Sequence, residues 1–215
     1  MPWNPPVNID RPTEPLTEDG VQAIHDGAMR ILEEIGIEFL NHEALEILRA
    51  SGGCTIDGEN VRMGREFVME QIALAPSSWT VTPRNPDRQI TIGGKNLLFG
   101  NVSSPPSYWD MNIGKKVTGT REMCANFFKL SQQFICIHFI GCYPVDPQDV
   151  HASIRHLDVL YDKLTLTDKV AHAYCLGKER VEDVMEMVRI AGGLSHEEFD
   201  ATPRMYTNIN STSPL

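Results

Sequence analysis

Apolar residues in the first part of the chain recur at helical spacing. After Thr17, which can cap a helix, Val21, Ile24, Ala28, Ile31, Leu32 and Ile35 fall on one face until Gly36 ends the run. Asn41 opens a second such stretch through Leu45, Ile47 and Leu48 that stops at Gly52-Gly53, so the two helices predict an αα-hairpin. The pattern then shortens. Thr55 to Met63 brackets Asp57-Gly58 as a hairpin, and a helix over Arg65 to Ala75 ends at Pro76. Short strands follow at SWTVTP, RQITIG and NLLFGN, and Tyr108–Asp110 precedes another glycine turn with Lys115–Thr118 after it.

From Thr120 the pattern changes to strand, loop, one-sided helix, strand. A capped helix over Arg121 to Phe134 leads into a strand from Ile135 to Cys142. A helix over Pro147 to Lys163, with Val150, Ile154, Leu157 and Tyr161 inward, leads to a strand from Lys169 to Cys175. A third helix, Lys178 to Ala191, and a helical turn near Ser195 to Phe199 precede a strand from Arg204 to Ser211. Strands that start roughly every 35 residues with helices between them imply parallel βα units.

Two architectures fit such units. A doubly wound sheet is apolar on both faces, whereas these strands alternate. Ile135, Ile137, Phe139, Ala171, Ala173, Met205, Thr207 and Ile209 are assigned to one face. Cys136, His138, Ile140, His172, Tyr174, Tyr206, Asn208 and Asn210 are assigned to the other. A polar face shared by successive strands favours the interior of a (β/α)₈ barrel of TIM type. The expected fold is α/β: an extended arm over 1–16, a mixed α+β module over 17–119, and the first three strands of a barrel over 120–215. Eight units need about 250 residues, so the barrel is expected to be truncated.

The net charge of −10 and the lack of a Lys/Arg cluster exclude a nucleic-acid binder. The proline-rich start lacks a basic segment followed by an apolar one, and no apolar run is long enough to cross a bilayer, so the expectation is a cytoplasmic protein without membrane contact. The five cysteines are scattered without C-x-x-C spacing; they read as packed thiols, with no structural zinc and no metal site.

In a barrel the chemistry sits on loops after the strands, here Gly141–Asp146, His172–Gly177 and Asn208–Ser213. His172 is either a hydrogen-bonded interior histidine or a site residue, and His138, deeper in its strand, reads as structural. Asn208, Asn210, Ser211 and Ser213 are too polar for a buried strand end unless a ligand or loop satisfies them. Tyr143 and Tyr174 either pack or form part of an aromatic box. Dinucleotide, phosphate-loop, zincin and nucleophile-elbow motifs are absent from the sequence, which leaves the chemistry open at this level.

The runs LTEDGVQAIHDGAMRILEEIGIEF, HEALEILRASGG with IDGENVRM, and TPRNPDRQITIGGKNLLFG, with the terminal N-x-N-S-T-S-P-L, resemble the trimethylamine methyltransferase family along nearly the whole chain. That resemblance implies a barrel behind an N-terminal module in proteins more than twice this length. It also implies methyl transfer from a quaternary or tertiary amine, trimethylamine or of glycine-betaine type, to the cobalt of a separate corrinoid protein. Members acting on trimethylamine carry pyrrolysine, at a position beyond residue 215, whereas many others lack it and act on betaines. The cobalamin would be carried by the partner and not bound tightly by this chain, and a homo-oligomer is admitted. A quaternary N-methyl group is already an electrophile and the cofactor is the nucleophile, which suits a site without a triad. By resemblance and strand-end position, Tyr143, His172, Tyr174, Asn208, Asn210 and Ser213 line the amine cavity; no catalytic residue is assigned. The competing readings are a zinc-dependent thiol methyltransferase, for which Cys136, Cys142 and Cys175 lack ligand spacing, and a non-catalytic or inactive truncated barrel that at most binds a quaternary amine.

Overall fold

The computed structural model describes Trp3, residues 5–173 and residues 176–210. They divide into two compact units: Asp10–Ser77 with residues from Asn210 on, and residues up to Ile9 with Ser78–Ile209. The boundary expected at 119/120 therefore falls inside the second unit. The residues expected to form one N-terminal arm are shared between the two.

In the first unit, helix α1 (Glu18–Arg30) starts where Thr17 accepts from the Gly20 amide, and it runs into a π-helical turn, Ile31–Ile35. Gly36 follows at φ 80°, where a Cβ would meet the Val61 carbonyl 2.6 Å away. This turn releases a short strand, β1 (Ile37–Glu38), before Asn41 caps α2 (His42–Ser51). Strand β1 pairs antiparallel with β3 (Asn60–Met63), which also pairs with β2 (Cys54–Asp57) around Gly58. The two helices are thus separated by a sheet strand and do not form the expected plain αα-hairpin. Helix α3 (Arg65–Ala73) is tied back by Arg65, which pairs with Asp26 at 3.2 Å and Glu33 at 3.8 Å.

The second unit opens with an antiparallel pair, β4 (Ser78–Val81) and β5 (Ile90–Gly93), then another, β6 (Ser107–Asp110) and β7 (Lys115–Thr118). The NLLFGN stretch makes isolated bridges, Asn96 to Val7 and Gly100 to Phe139, where a strand was expected. Thr120 accepts from the Met123 amide and starts α4 (Arg121–Gln133). After it come β8 (Phe139–Ile140), α5 (Arg155–Leu166), β9 (Val170–Ala173), α6 (Lys178–Gly192), α7 (His196–Asp200) and β10 (Met205–Thr207). Strands β8, β9 and β10 form one parallel sheet in sequence order, as the βα repetition predicts. The architecture is mixed α/β.

The βα elements are shorter than their apolar patterns. The strand expected from Ile135 begins at Phe139, because Phe134 and Ile137 extend the helix exit by bonding back to the Leu130 and Phe134 carbonyls. Cys136 is consequently exposed, not packed in a strand. The helix expected from Pro147 starts at Arg155. Before it, the Arg155 guanidinium holds a loop by bonding the Val150 carbonyl and pairing with Asp146 at 3.1 Å. Among the described residues of the last expected strand, only Met205–Thr207 is paired.

Register corrects the assignment of faces. Ile140, Ala171 and Met205 lie side by side, as do Phe139 with Val170 and His172 with Tyr206. Strand β8 is thus turned over relative to the expectation, since its irregular entry shifts the alternation by one residue. Ile140 packs with Cys124, Phe128, Val145 and Val159, while Ala173 and Met205 pack with Leu160, Val184 and Val188. On the opposite face Val170, Phe139 and Tyr206 meet Val81, Ile90 and Trp3.

Candidate functional site

The candidate site lies at the carboxyl ends of the three parallel strands. Gly141 and Cys142 continue β8 without sheet pairing; the Gly141 amide donates to Asn101 Oδ1 at 2.9 Å and the Cys142 amide to Ser103 Oγ at 3.1 Å. A Cβ on Gly141 would run into Ser103 Oγ and lie 3.1 Å from the Asn101 carbonyl, so only glycine lets the two segments approach. This docking aims Cys142 at β9, where its Sγ lies 2.6 Å from Nδ1 of His172.

His172 is 7% exposed. Its ring lies 4.7 Å from that of Tyr206 in the adjacent register position, and Phe139 meets Tyr206 nearly at right angles, 5.4 Å away. Behind the strands Lys163, 2% exposed, donates from Nζ to the carbonyls of Gly141 and His172, both at 2.9 Å. One ammonium group thereby clamps the ends of β8 and β9.

Burial, and then the Lys163 charge, push His172 down to about 4. Burial raises the Cys142 thiol to about 11 against the opposing pull of Lys163, and lowers Lys163 itself to about 8. Burial and the neighbouring Cys142 hold the Tyr206 phenol above its usual range. At neutral pH the strand ends thus carry a thiol, a neutral imidazole and a neutral phenol, with one buried cation solvated by two carbonyls.

Of the residues selected from sequence, His172 is at the centre of this group. Tyr143, 9% exposed, packs with Phe128 and Val159 in the core on the helix side. Asn208 is exposed just beyond β10, and Asn210, also exposed, groups with the other unit. Tyr174 and Ser213 lie outside the described residues. His138 accepts from the Phe99 amide at 2.9 Å and meets Trp3 edge-on, an interior hydrogen-bonded histidine.

Three members of the group were missed. Cys142 was read as a packed thiol, and Tyr206 was only one of several polar alternations. The signal for Lys163 was present: His156, Val159, Leu160 and Lys163 stand at i, i+3, i+4 and i+7, the buried stripe of α5, and a lysine there must find partners inside. Among the described residues, no three His, Cys, Asp or Glu side chains converge to hold a metal ion. No helix among them is long and apolar enough to cross a membrane.

Parallel βα units whose strand ends gather neutral aromatic and polar groups define the class as mixed α/β. The chain matches the trimethylamine methyltransferase (MTTB) family over residues 1–215, and it belongs to that family. It is 37% identical over 200 residues to glycine betaine methyltransferase of Desulfitobacterium hafniense (strain Y51), covering 93% of this chain and 41% of that protein. It is 28% identical over 206 residues to trimethylamine methyltransferase MttB of D. hafniense (strain DSM 10664 / DCB-2), covering 93% and 40%. Against proline betaine:corrinoid methyltransferase of Eubacterium limosum it is 32% identical over 130 residues, covering 60% and 26%. The chain spans about two fifths of the length of the first two relatives.

Proposed function

We propose that the protein moves a methyl group from a quaternary amine of betaine type to the cobalt of a separate corrinoid protein, and that β8, β9 and β10 are part of a (β/α)₈ barrel with the amine at their carboxyl ends. The observation that carries this reading is the neutral His172–Tyr206 pair at those ends. A permanent cation is repelled by imidazolium but attracted to aromatic faces, each such contact contributing about 0.5–2 kcal/mol. His172 stays neutral across the physiological range, so the face remains suited to a cation. The greater identity to a betaine methyltransferase than to trimethylamine methyltransferases supports the betaine class.

The acceptor, cob(I)alamin on its carrier protein, supplies the nucleophile. The strand-end face suits it: Cys142 is held as a thiol and not a thiolate, so it does not compete as an anionic ligand for cobalt. What this chain contributes is position. Tyr206 and His172 receive the ammonium end, Asn208 offers an amide to the polar end, and Lys163 fixes the strand ends from behind.

The test uses the full-length protein with a reduced corrinoid protein, following methylcobalamin by absorbance as the amine is varied. Methyl-cobalt should form with a betaine. Tyr206→Ala should weaken amine binding about 3- to 30-fold, the equivalent of one lost cation–π contact, and Tyr206→Phe should retain it. Asn208→Ala should lower turnover more than binding. No methyl-cobalt with any betaine or methylamine, given a competent partner, rejects the reading.

A further inference from the structure

Helix α1 carries its apolar stripe away from the unit it belongs to. Val21, Ile24, Ile31 and Ile35 are 56%, 63%, 52% and 67% exposed, and Ala28 between them is exposed as well. The opposite side of the helix is the one that packs. Met29 is buried there, Asp26 and Glu33 reach the Arg65 guanidinium of α3 at 3.2 and 3.8 Å, and Glu33 accepts from the Arg65 amide at 3.1 Å. Carboxylates thus hold the helix in place while its aliphatic row faces water, the reverse of how an amphipathic surface helix is mounted. A row of this kind marks an interaction surface, because burying it recovers hydrophobic free energy.

The row itself indicates what covers it. Its spacing alternates three and four residues, the seam of a coiled coil. It is also symmetric about its smallest member: Val21 and Ile35 both stand seven positions from Ala28, with Ile24 and Ile31 between. Gly27 lies next to Ala28, inside the helix, where glycine is less favourable than alanine. Among the described residues nothing would come within 4 Å of a Cβ at Gly27, so the packing of this chain does not call for glycine there; the close approach of a second backbone does. The flanks of the row are Gly20, Gly27, His25, Leu32 and Glu34, and the Glu34 carboxylate is taken up by Arg30 at 2.9 and 3.1 Å. The face therefore adds little repulsion between two copies of a chain whose net charge is −10.

We propose that α1 is a homodimer surface, on which the α1 helices of two copies pair antiparallel across a two-fold axis at Ala28. A two-fold interface needs a patch that complements itself, and this row does so. Val21 of each copy meets Ile35 of the other, Ile24 meets Ile31, and Gly27 with Ala28 forms the crossing where the backbones come closest. Antiparallel pairing is favoured over parallel, which brings together the first-turn acids Glu18 and Asp19 of both copies and aligns the two helix dipoles. The inference stands apart from the methyl-transfer reading, since it needs neither an amine nor a corrinoid.

Sedimentation velocity of the full-length protein over a concentration series tests it. The expected result is a dimer that dissociates on dilution, and that Ile24→Lys or Ile31→Lys converts to monomer with an unchanged circular dichroism spectrum. Gly27→Ala should weaken the dimer about tenfold without lowering the thermal midpoint of the monomer, an effect that a purely structural glycine does not give. Copies carrying Val21→Cys, mixed with copies carrying Ile35→Cys, should form a disulfide-linked pair on oxidation, above the level that the native cysteines give. A monomer at every concentration overturns the proposal and leaves the row to the remainder of the full-length chain or to another protein. A dimer that survives both lysine substitutions overturns it too, and self-crosslinking of Val21→Cys without the mixed pair overturns the antiparallel arrangement. If the lysine variants do not fold, the wild-type sedimentation and the cysteine pairs decide.

Discussion

At the scale of single residues, Lys163 and His172 carry most of the tension in the strand-end group. Truncating Lys163→Ala leaves the Gly141 and His172 carbonyls without their buried donor, at a cost of about 1–3 kcal/mol each, offset in part because a desolvated ammonium is removed. The expected net loss is about 2–4 kcal/mol in denaturant unfolding, and Lys163→Arg should recover some of it if the guanidinium reaches both carbonyls. For His172 the pH dependence follows from its lowered pKa. Folded, it titrates at about 4; unfolded, near 6.5. Between those values the unfolded chain binds a proton that the folded chain refuses, so its contribution is intact above pH 6.5 and is lost as pH falls to 4. The loss is about 2 kcal/mol after allowance for partial solvent screening. Stability curves of wild type and His172→Gln should converge across this window; parallel curves would remove His172 as the cause.

At the scale of elements, local signals set where helices begin, while close approach sets where strands sit. Thr17, Asn41, Thr120 and Ser195 each cap the helix that follows them, and the first three were readable from residue type and the apolar run behind them. The start of α5 was not readable, because it depends on the Arg155 guanidinium reaching Val150 and Asp146. Gly141 illustrates the strand case. Gly141→Ala should destabilise by about 1–3 kcal/mol through contact with Ser103 and Asn101, and should disturb His172 ring shifts more than those of residues in α6. The N-terminal segment is a second such element. Trp3 donates to the Gln89 carbonyl at 3.1 Å, has the Arg88 guanidinium 4.7 Å from its ring and packs against the cluster of Val81, Ile90 and Val170. Trp3→Ala should therefore cost about 2–3 kcal/mol even though the residues around it read as an extended arm; a thermal midpoint identical to wild type would contradict that packing.

For the whole molecule, the two compact units locate the weakest covalent connection. Residues 74–78 are exposed between α3 and β4, whereas Gly119, near the boundary expected from sequence, is buried and bonds Pro106 and Gln148. Limited proteolysis should first cut between Leu74 and Ser78, leaving Ser78 onward intact longer. First cleavage between Lys115 and Arg121 would favour the sequence-derived boundary. The sequence puts a boundary there because the local pattern changes at Thr120, from short antiparallel pairs to βα units, and this looks like a change of domain. Packing joins the two patterns: the segment after β5 runs beside β8 and supplies Asn101 and Ser103 to its end.

What the sequence determined alone was periodic or local: the helix caps, the glycine turns, the βα repetition with its parallel sheet, the family resemblance, and His172 as a strand-end residue. These depend on neighbours within a few positions, or on a repeat, so one dimension suffices. Tertiary structure decided which face each strand presents, because the irregular entry to β8 shifts its alternation by one. It also decided the company His172 keeps. Cys142, Lys163 and Tyr206 are drawn to it from 30, 9 and 34 positions away along the chain, and desolvation at their meeting point, which no pattern of residue types encodes, keeps the imidazole neutral.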